Sequence, residues 1–292
     1  MPKLTAIRSE AAALAPGGSS FVGFVAIAYL VSWCWLVPVA LSGGVVVAGR
    51  GWPTHLPALV GPMLAAFVVT AVVFGRRGLR DLGRRMLLVR VGLRWWAFAL
   101  SPLIVLALVL VIDTTTGRTV PPAADFASYS GVSSGLGIVG TFLVILVVNG
   151  FGEEAGWRGF ALPHLQERHS PLGATVIVSA VWLAWHAPMF LVVDTFRSFS
   201  TPIFFGWAFG LFCGAVVLSW LYNRSGGSIL LVAIWHTTYN LISGTDAATG
   251  LLAALSTTLV IVLAIFLVIL EVRSARAGRP TVLGPPADVR AS

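Results

Sequence analysis

Charge is scarce in this chain. Only 10% of its 292 residues are Asp, Glu, Lys or Arg, less than half the share usual in soluble domains. That excludes an ordinary water-soluble domain. Cysteine is nearly absent too: Cys34 and Cys213 are the only two, both inside apolar runs, where they suit small-residue packing and supply no disulfide framework. Alternating strand-like segments of about ten residues are missing, which argues against an outer-membrane barrel. No internal repeat is visible, which weakens a reading as a secondary transporter built from symmetric halves. A single lysine stands against eighteen arginines, a bias that points to GC-rich coding and a bacterial source.

What is present is hydrocarbon: 57% of the residues are hydrophobic. Apolar stretches long enough to cross a core of about 30 Å recur eight times: Phe21–Gly43, Leu56–Gly75, Trp95–Ile112, Gly135–Gly152 with its continuation, Gly173–Val193, Pro202–Tyr222, Ser228–Gly244 and Ala248–Leu270. In lipid every backbone polar group needs an internal partner. The expected fold is therefore all-α, a polytopic transmembrane bundle of about eight helices with a polar intramembrane active-site cavity. The first apolar run is too long for a typical signal-peptide core and reads as a retained helix. One membrane domain is expected over residues 21–270, flanked by tails at 1–20 and 271–292 that lack apolar periodicity and should be mobile.

The net charge of +8 does not indicate nucleic acid. Arg76, Arg77, Arg80, Arg84, Arg85, Arg90 and Arg94 crowd one loop, and the opposite side keeps only Arg50, Arg118 and Arg197. This is the positive-inside bias, so both tails are expected in the cytoplasm of a bacterial inner membrane. The basic loop also faces anionic headgroups. The lipid bilayer is the implied partner.

Ionisable groups within the spans are few. They are Glu153, Glu154 and Arg158 around the fourth helix, His186 in the fifth and His236 in the seventh, with Asn149 and Asn240 as amides of the same helices. Such groups are costly in hydrocarbon, turn inward and mark function by default. Along their helices, measured from the side expected to be cytoplasmic, Glu153 lies about 18 Å deep, His186 about 20 Å, His236 about 12 Å and Asn240 about 18 Å. They can converge. Glu154 and Arg158 are four residues apart and can pair on one face, a mainly structural role, whereas Glu153 points about 100° away without a cation in its own helix. His55, His164 and His169 fall at helix ends or loops and read as surface groups. Trp182, Trp185, Trp235 and Tyr239 read as pocket walls or helix packing.

A carboxylate, two imidazoles and an amide in a half-dry pocket suit hydrolysis of an acyl bond. The carboxylate would take a proton from water, and imidazole and amide would stabilise an oxyanion. Alternatively, Glu153, His186 and His236 match the His₂Glu set of a catalytic zinc-like divalent metal. No cofactor is needed in the first case. The substrate class is a membrane-associated peptide or protein.

These residues resemble the CPBP family of intramembrane proteases, also called the Abi or type II CAAX prenyl endopeptidase family. The first family motif reads Glu153-Glu154-Ala155-Gly156-Trp157-Arg158, the second Trp182-Leu183-Ala184-Trp185-His186, and the third His236-Thr237-Thr238-Tyr239-Asn240, over a core of residues 135–244. Trp182 departs from the phenylalanine usual in the family. The resemblance implies Glu153 as base, His186 as the group orienting water, His236 and Asn240 as oxyanion hole, and Glu154 with Arg158 as braces. A non-catalytic bacteriocin-immunity or scaffold protein and, more weakly, a proton-coupled transporter are the alternatives.

Overall fold

The computed structural model describes residues 17–286. It is a bundle of helices: α1 (Gly17–Leu41), α2 (Leu56–Met86), α3 (Leu93–Ala99 with Ser101–Thr115), α4 (Ser134–Gln166), α5 (Pro171–Val192), α6 (Thr201–Arg224), α7 (Ile229–Ser243) and α8 (Gly250–Arg276). Six of these are long and apolar enough to cross a membrane. The halves of α3 form one span bent by 55°, and α7 is a shorter apolar helix of 15 residues. The protein is an integral, multi-pass membrane protein, and the eight apolar runs of the sequence each become one of these elements.

The differences from the expected boundaries have local causes. The helix of α2 does not stop at Gly75: that glycine, at φ 59° and ψ −153°, breaks it, and the chain resumes as a helix to Met86. Arginine is a good helix former, so the stretch expected as a basic loop becomes a second helical arm with Arg76, Arg77, Arg80 and Arg84 exposed. The bend in α3 falls at Leu100 ahead of Pro102, whose ring cannot continue the preceding hydrogen-bond ladder. In α5 the regular helix ends at Trp185, two residues before Ala187, whose following Pro188 disfavours helical backbone.

The tail after Leu270 is also better ordered than expected. Glu271 is buried and accepts hydrogen bonds from Thr281 Oγ1 and from the backbone N–H groups of Val282 (2.6 Å) and Leu283 (2.9 Å). Asn223 and Arg224, at the end of α6, donate to the carbonyls of Leu283, Val282 and Thr281. One buried carboxylate thus folds a segment that lacks any apolar period. Residues 1–16 and 287–292 of the two expected tails lie outside the described residues.

Helix α4 is the axis of the bundle. Four glycines let it approach its neighbours at backbone distance. A methyl group on Gly152 or Gly156 would meet backbone atoms of Leu59 at 2.8 Å and Pro62 at 2.6 Å in α2, and one on Gly150 or Gly159 would meet Thr237, Ala233 and Ile229 in α7. This is the small-residue packing by which membrane helices associate without a hydrophobic driving force. Two π-helical segments, Leu146–Phe151 and Trp157–Ala161, flank the paired glutamates. Such wide turns are rare and cluster at functional sites.

On one face of the bundle the connecting loops are stitched together. Val46 bridges Val193, Ala48 bridges Ser130 and Tyr129 bridges Thr245. On the other face Arg85 donates to the Gly159 carbonyl at 2.7 Å and to the Tyr222 hydroxyl at 2.6 Å. Among the described residues both cysteines are free.

Gly156→Ala forces a methyl group against Pro62 backbone and should destabilise the protein by about 1–3 kcal/mol. Gly210→Ala, where nothing lies within 4 Å, should be neutral. Thermal unfolding in detergent measures both, and equal stability of the two variants would contradict the packing described.

For orientation, cysteines placed singly at exposed Thr116 and Arg77 in a Cys34→Ser, Cys213→Ser background report opposite faces. An impermeant thiol reagent should label position 116 in intact cells and position 77 only after permeabilisation. The reverse pattern would place the arginine-rich face outside.

Candidate active site

Glu153 and Glu154 follow the first π segment, and the helical step sends them to different partners. Glu153 is 2% exposed. Its Oε1 accepts from Asn149 Nδ2 at 3.3 Å, one turn back on the same helix, and its Oε2 accepts from the indole N–H of Trp182 at 2.7 Å, across on α5. Glu154 is fully buried and accepts twice from Arg158 Nη1, at 2.9 and 3.1 Å, and once from His236 Nδ1 of α7 at 2.8 Å. The expected pair of Glu154 and Arg158 is present, and it extends to a third member. A carboxylate removed from water is costly unless its lone pairs are filled, and here each oxygen has a donor.

Trp182 joins the parts. Its indole N–H holds Glu153, its ring lies under the Arg158 guanidinium with the central carbon 4.6 Å from the ring centroid, and the ring centroids of His186 and His236 each lie 5.8 Å away. The cation–π contact partly compensates Arg158, whose Nε and Nη2 are buried without hydrogen-bond partners.

His186 stands at the end of the regular part of α5, where the chain turns ahead of Pro188. Its Nδ1 is 2.7 Å from the Trp182 carbonyl oxygen. A carbonyl only accepts, so Nδ1 carries the proton and Nε2 is the uncommitted nitrogen. The same assignment follows for His236, whose Nδ1 meets the Glu154 carboxylate. Aromatic rings of Trp185, Phe196 and Trp207 fix the His186 plane, with centroids at 4.9, 6.3 and 5.3 Å.

The structure therefore gathers Glu153, Glu154, Arg158, His186 and His236 into one buried cluster. Asn240 lies one turn beyond His236 on the same helix and is half-buried; among the described residues its side chain makes no hydrogen bond to the other site groups. Three neighbours of the cluster carried no site role in the sequence. Asn149 had one signal, its position four residues before Glu153. Tyr129 and His55 had none. Tyr129 comes from the loop before α4, is 8% exposed, and lies by Asn149 and in the field of Glu153; burial pushes its phenol up. His55, at the start of α2, is buried against Gly131 and close enough to His186 for their charges to interact, and burial holds its imidazole down to about 4. The surface role expected for His55 is not what the structure shows. Nor is His164 on the surface: it is half-buried, stacked on Phe160 with centroids 4.0 Å apart.

Both Tyr129 and His55 belong to the stitched loops, so the site is roofed from the face opposite the arginine arm. Depth counted from the arginine-rich side alone did not reveal this, because these loops fold back onto the helix ends.

A divalent metal needs several ligands converging on one point. Among the described residues no group of three or more His, Cys, Asp or Glu side chains converges closely enough to hold one. Both Glu153 oxygens accept from N–H donors, Asn149 and Trp182, which hold the carboxylate in place.

Residues 135–242 match the family described as type II CAAX prenyl endopeptidase, Rce1-like. The chain is also 24% identical over 228 residues to CAAX prenyl protease 2 of Methanococcus maripaludis, an alignment covering 76% of this chain and 81% of that one. The matched family segment contains Asn149 and every site residue named from α4, α5 and α7; Tyr129 and His55 lie outside it.

The three-way contact of Glu154 with Arg158 and His236 makes the pair a stability element. Arg158→Ala leaves a buried carboxylate short of its cation and should cost about 3–5 kcal/mol. In a Glu154→Gln background the same change should cost much less. Thermal unfolding of the four proteins in detergent gives the coupling, and additive losses would refute direct pairing.

Proposed function

We propose that the chain, whose residues 135–242 match the type II CAAX prenyl endopeptidase, Rce1-like family, is a CAAX protease-like membrane endopeptidase of the CPBP family that hydrolyses a peptide bond of a membrane-associated peptide or protein by glutamate-activated water. The observation that carries this reading is the Glu153 carboxylate, fixed from both sides by Asn149 and Trp182 within a cluster that offers two uncommitted imidazole nitrogens. Each carboxylate oxygen has two lone pairs, so the two N–H donors leave room for a water molecule.

In the proposed step Glu153 takes one proton from water while Nε2 of His186 accepts a hydrogen bond from it and aims it. The water oxygen bonds to the scissile carbonyl carbon, and the carbonyl π electrons move to oxygen. His236 and Asn240 donate to that oxyanion. Two donors on the His236 ring require the imidazolium form, and the Glu154 carboxylate at 2.8 Å supplies its counter-charge. Collapse of the adduct breaks the C–N bond, and the leaving amine takes the proton held by Glu153. Arg158 and Trp182 hold the two glutamates in place and touch no reacting atom.

Trp182 gains a meaning from this arrangement. A phenylalanine there would keep the wall and the cation–π face but would give up the N–H bond to Glu153. The name of the archaeal relative makes a C-terminally prenylated peptide the first substrate to test, beside an unprenylated control.

Glu153→Gln keeps size and reach but removes the base, so cleavage should fall at least about a hundredfold. Trp182→Phe should lower turnover about tenfold or more through the loss of one hydrogen bond to a carboxylate. Exhaustively chelated wild-type protein should keep its rate. Cleavage by Glu153→Gln at the wild-type rate would leave a binding or immunity role as the better reading, and activity restored only by added metal would replace the water mechanism.

A further inference from the structure

A polar pocket lies away from the protease cluster, where α3 ends and α8 begins. It has a volume of about 260 Å³ and is lined by Asp113, Arg118, Thr119, Thr249, Gly250 and Leu251, among others. Its two ends have opposite electrical demands.

Asp113 provides the first. It is 6% exposed, and its Oδ1 is buried with no hydrogen-bond partner. Among the described residues it forms no ion pair, although Arg118 lines the same pocket. Burying a carboxylate that lacks a donor is unfavourable in apolar surroundings, so the Asp113 carboxylate, which lines the pocket, calls for an N–H group from a bound molecule.

The other demand comes from α8. Its N-cap, Thr249, makes no side-chain capping bond over a helix of 27 residues. The first-turn N–H groups of a helix point outward and attract anions. Arg118, which is exposed, and the Thr119 and Thr249 hydroxyls add donors to the same end.

A simple cation would satisfy Asp113 and be repelled by the guanidinium and the helix end. A simple anion would suffer the reverse. One molecule carrying both charges on a short linker meets both demands. We infer that this pocket binds a primary ammonium joined to a phosphate, the headgroup chemistry of phosphatidylethanolamine, with the ammonium on Asp113 and the phosphate between Arg118 and the α8 N-terminus. The pocket lies where one span ends and the next begins, which in a bilayer of about 30 Å hydrocarbon thickness is the depth of the headgroups. A quaternary ammonium has no N–H to give the Asp113 oxygen, so a choline headgroup fits poorly.

The test uses the full-length protein in detergent micelles doped with lipid and follows thermal unfolding. Phosphatidylethanolamine should raise the midpoint in a saturable manner, and phosphatidylcholine and phosphatidylglycerol at equal mole fraction should do so much less. Asp113→Asn should weaken the apparent affinity for phosphatidylethanolamine about 10- to 100-fold, as loss of a charge-assisted bond would. Arg118→Ala, at an exposed side chain, should weaken it as well and serves if Asp113→Asn does not fold. Free phosphoethanolamine distinguishes the sources: protection at millimolar concentration assigns the site to a soluble zwitterion as well, and protection by the lipid alone assigns it to the membrane. Equal shifts from phosphatidylethanolamine and phosphatidylcholine would overturn the inference. So would a match by phosphatidylglycerol, or an ethanolamine preference unchanged in the folded variants.

Discussion

The close approach of α4 to its neighbours is the constraint on which the rest depends. Gly152 and Gly156 set it against the backbone of Leu59 and Pro62, and Gly150 and Gly159 set it against α7. At that distance Glu154 reaches His236 directly, with no water or further side chain between them. A bulkier seam would push α7 outward by roughly a methyl diameter, more than a 2.8 Å hydrogen bond can absorb. The π segments on either side act with the glycines, because each shifts the register in which the helix faces its neighbours, while the ordinary helical step sends the consecutive glutamates to separate partners.

Buried charge then dictates how the cluster is wired. Glu154, Arg158 and His236 form a compensated group, with Trp182 covering the guanidinium face. Glu153 is left outside that group. It is held by neutral N–H donors from Asn149 and Trp182, which orient it without neutralising it. Two adjacent carboxylates thereby differ through their surroundings alone: one is paired with a cation, and the other, the base of the proposed mechanism, has no cation bonded to it.

The loops add a roof that the helices do not supply. Backbone bonds from Val46 to Val192, from Gly49 to Tyr129 and from Gly131 to Val47 bring His55 and Tyr129 to the edge of the cluster. On the arginine-rich face the corresponding device is Arg85, which satisfies the Gly159 carbonyl in the second π segment of α4. The bundle around α4 is therefore tied on both faces, by backbone bridges between loops on one and a single guanidinium on the other.

The sequence by itself determined the class of fold and the identity of the central charged residues. Hydrocarbon imposes both: each span must be about twenty apolar residues long, and any ionisable group inside one stands out against that background, as Glu153, Glu154, Arg158, His186 and His236 do. The i,i+4 spacing also made the Glu154–Arg158 pair legible, since it lies within one helix. Tertiary structure alone decided the rest. The bond from Trp182 to Glu153 joins α4 to α5, and that from His236 to Glu154 joins α4 to α7. His55 and Tyr129 arrive on loops with no period to read, and the tail at Thr281–Leu283 is ordered only because Glu271, Asn223 and Arg224 take its backbone groups. Periodicity reports which face of one helix is apolar; it carries no information about which polar atoms of two different elements will meet at hydrogen-bond distance.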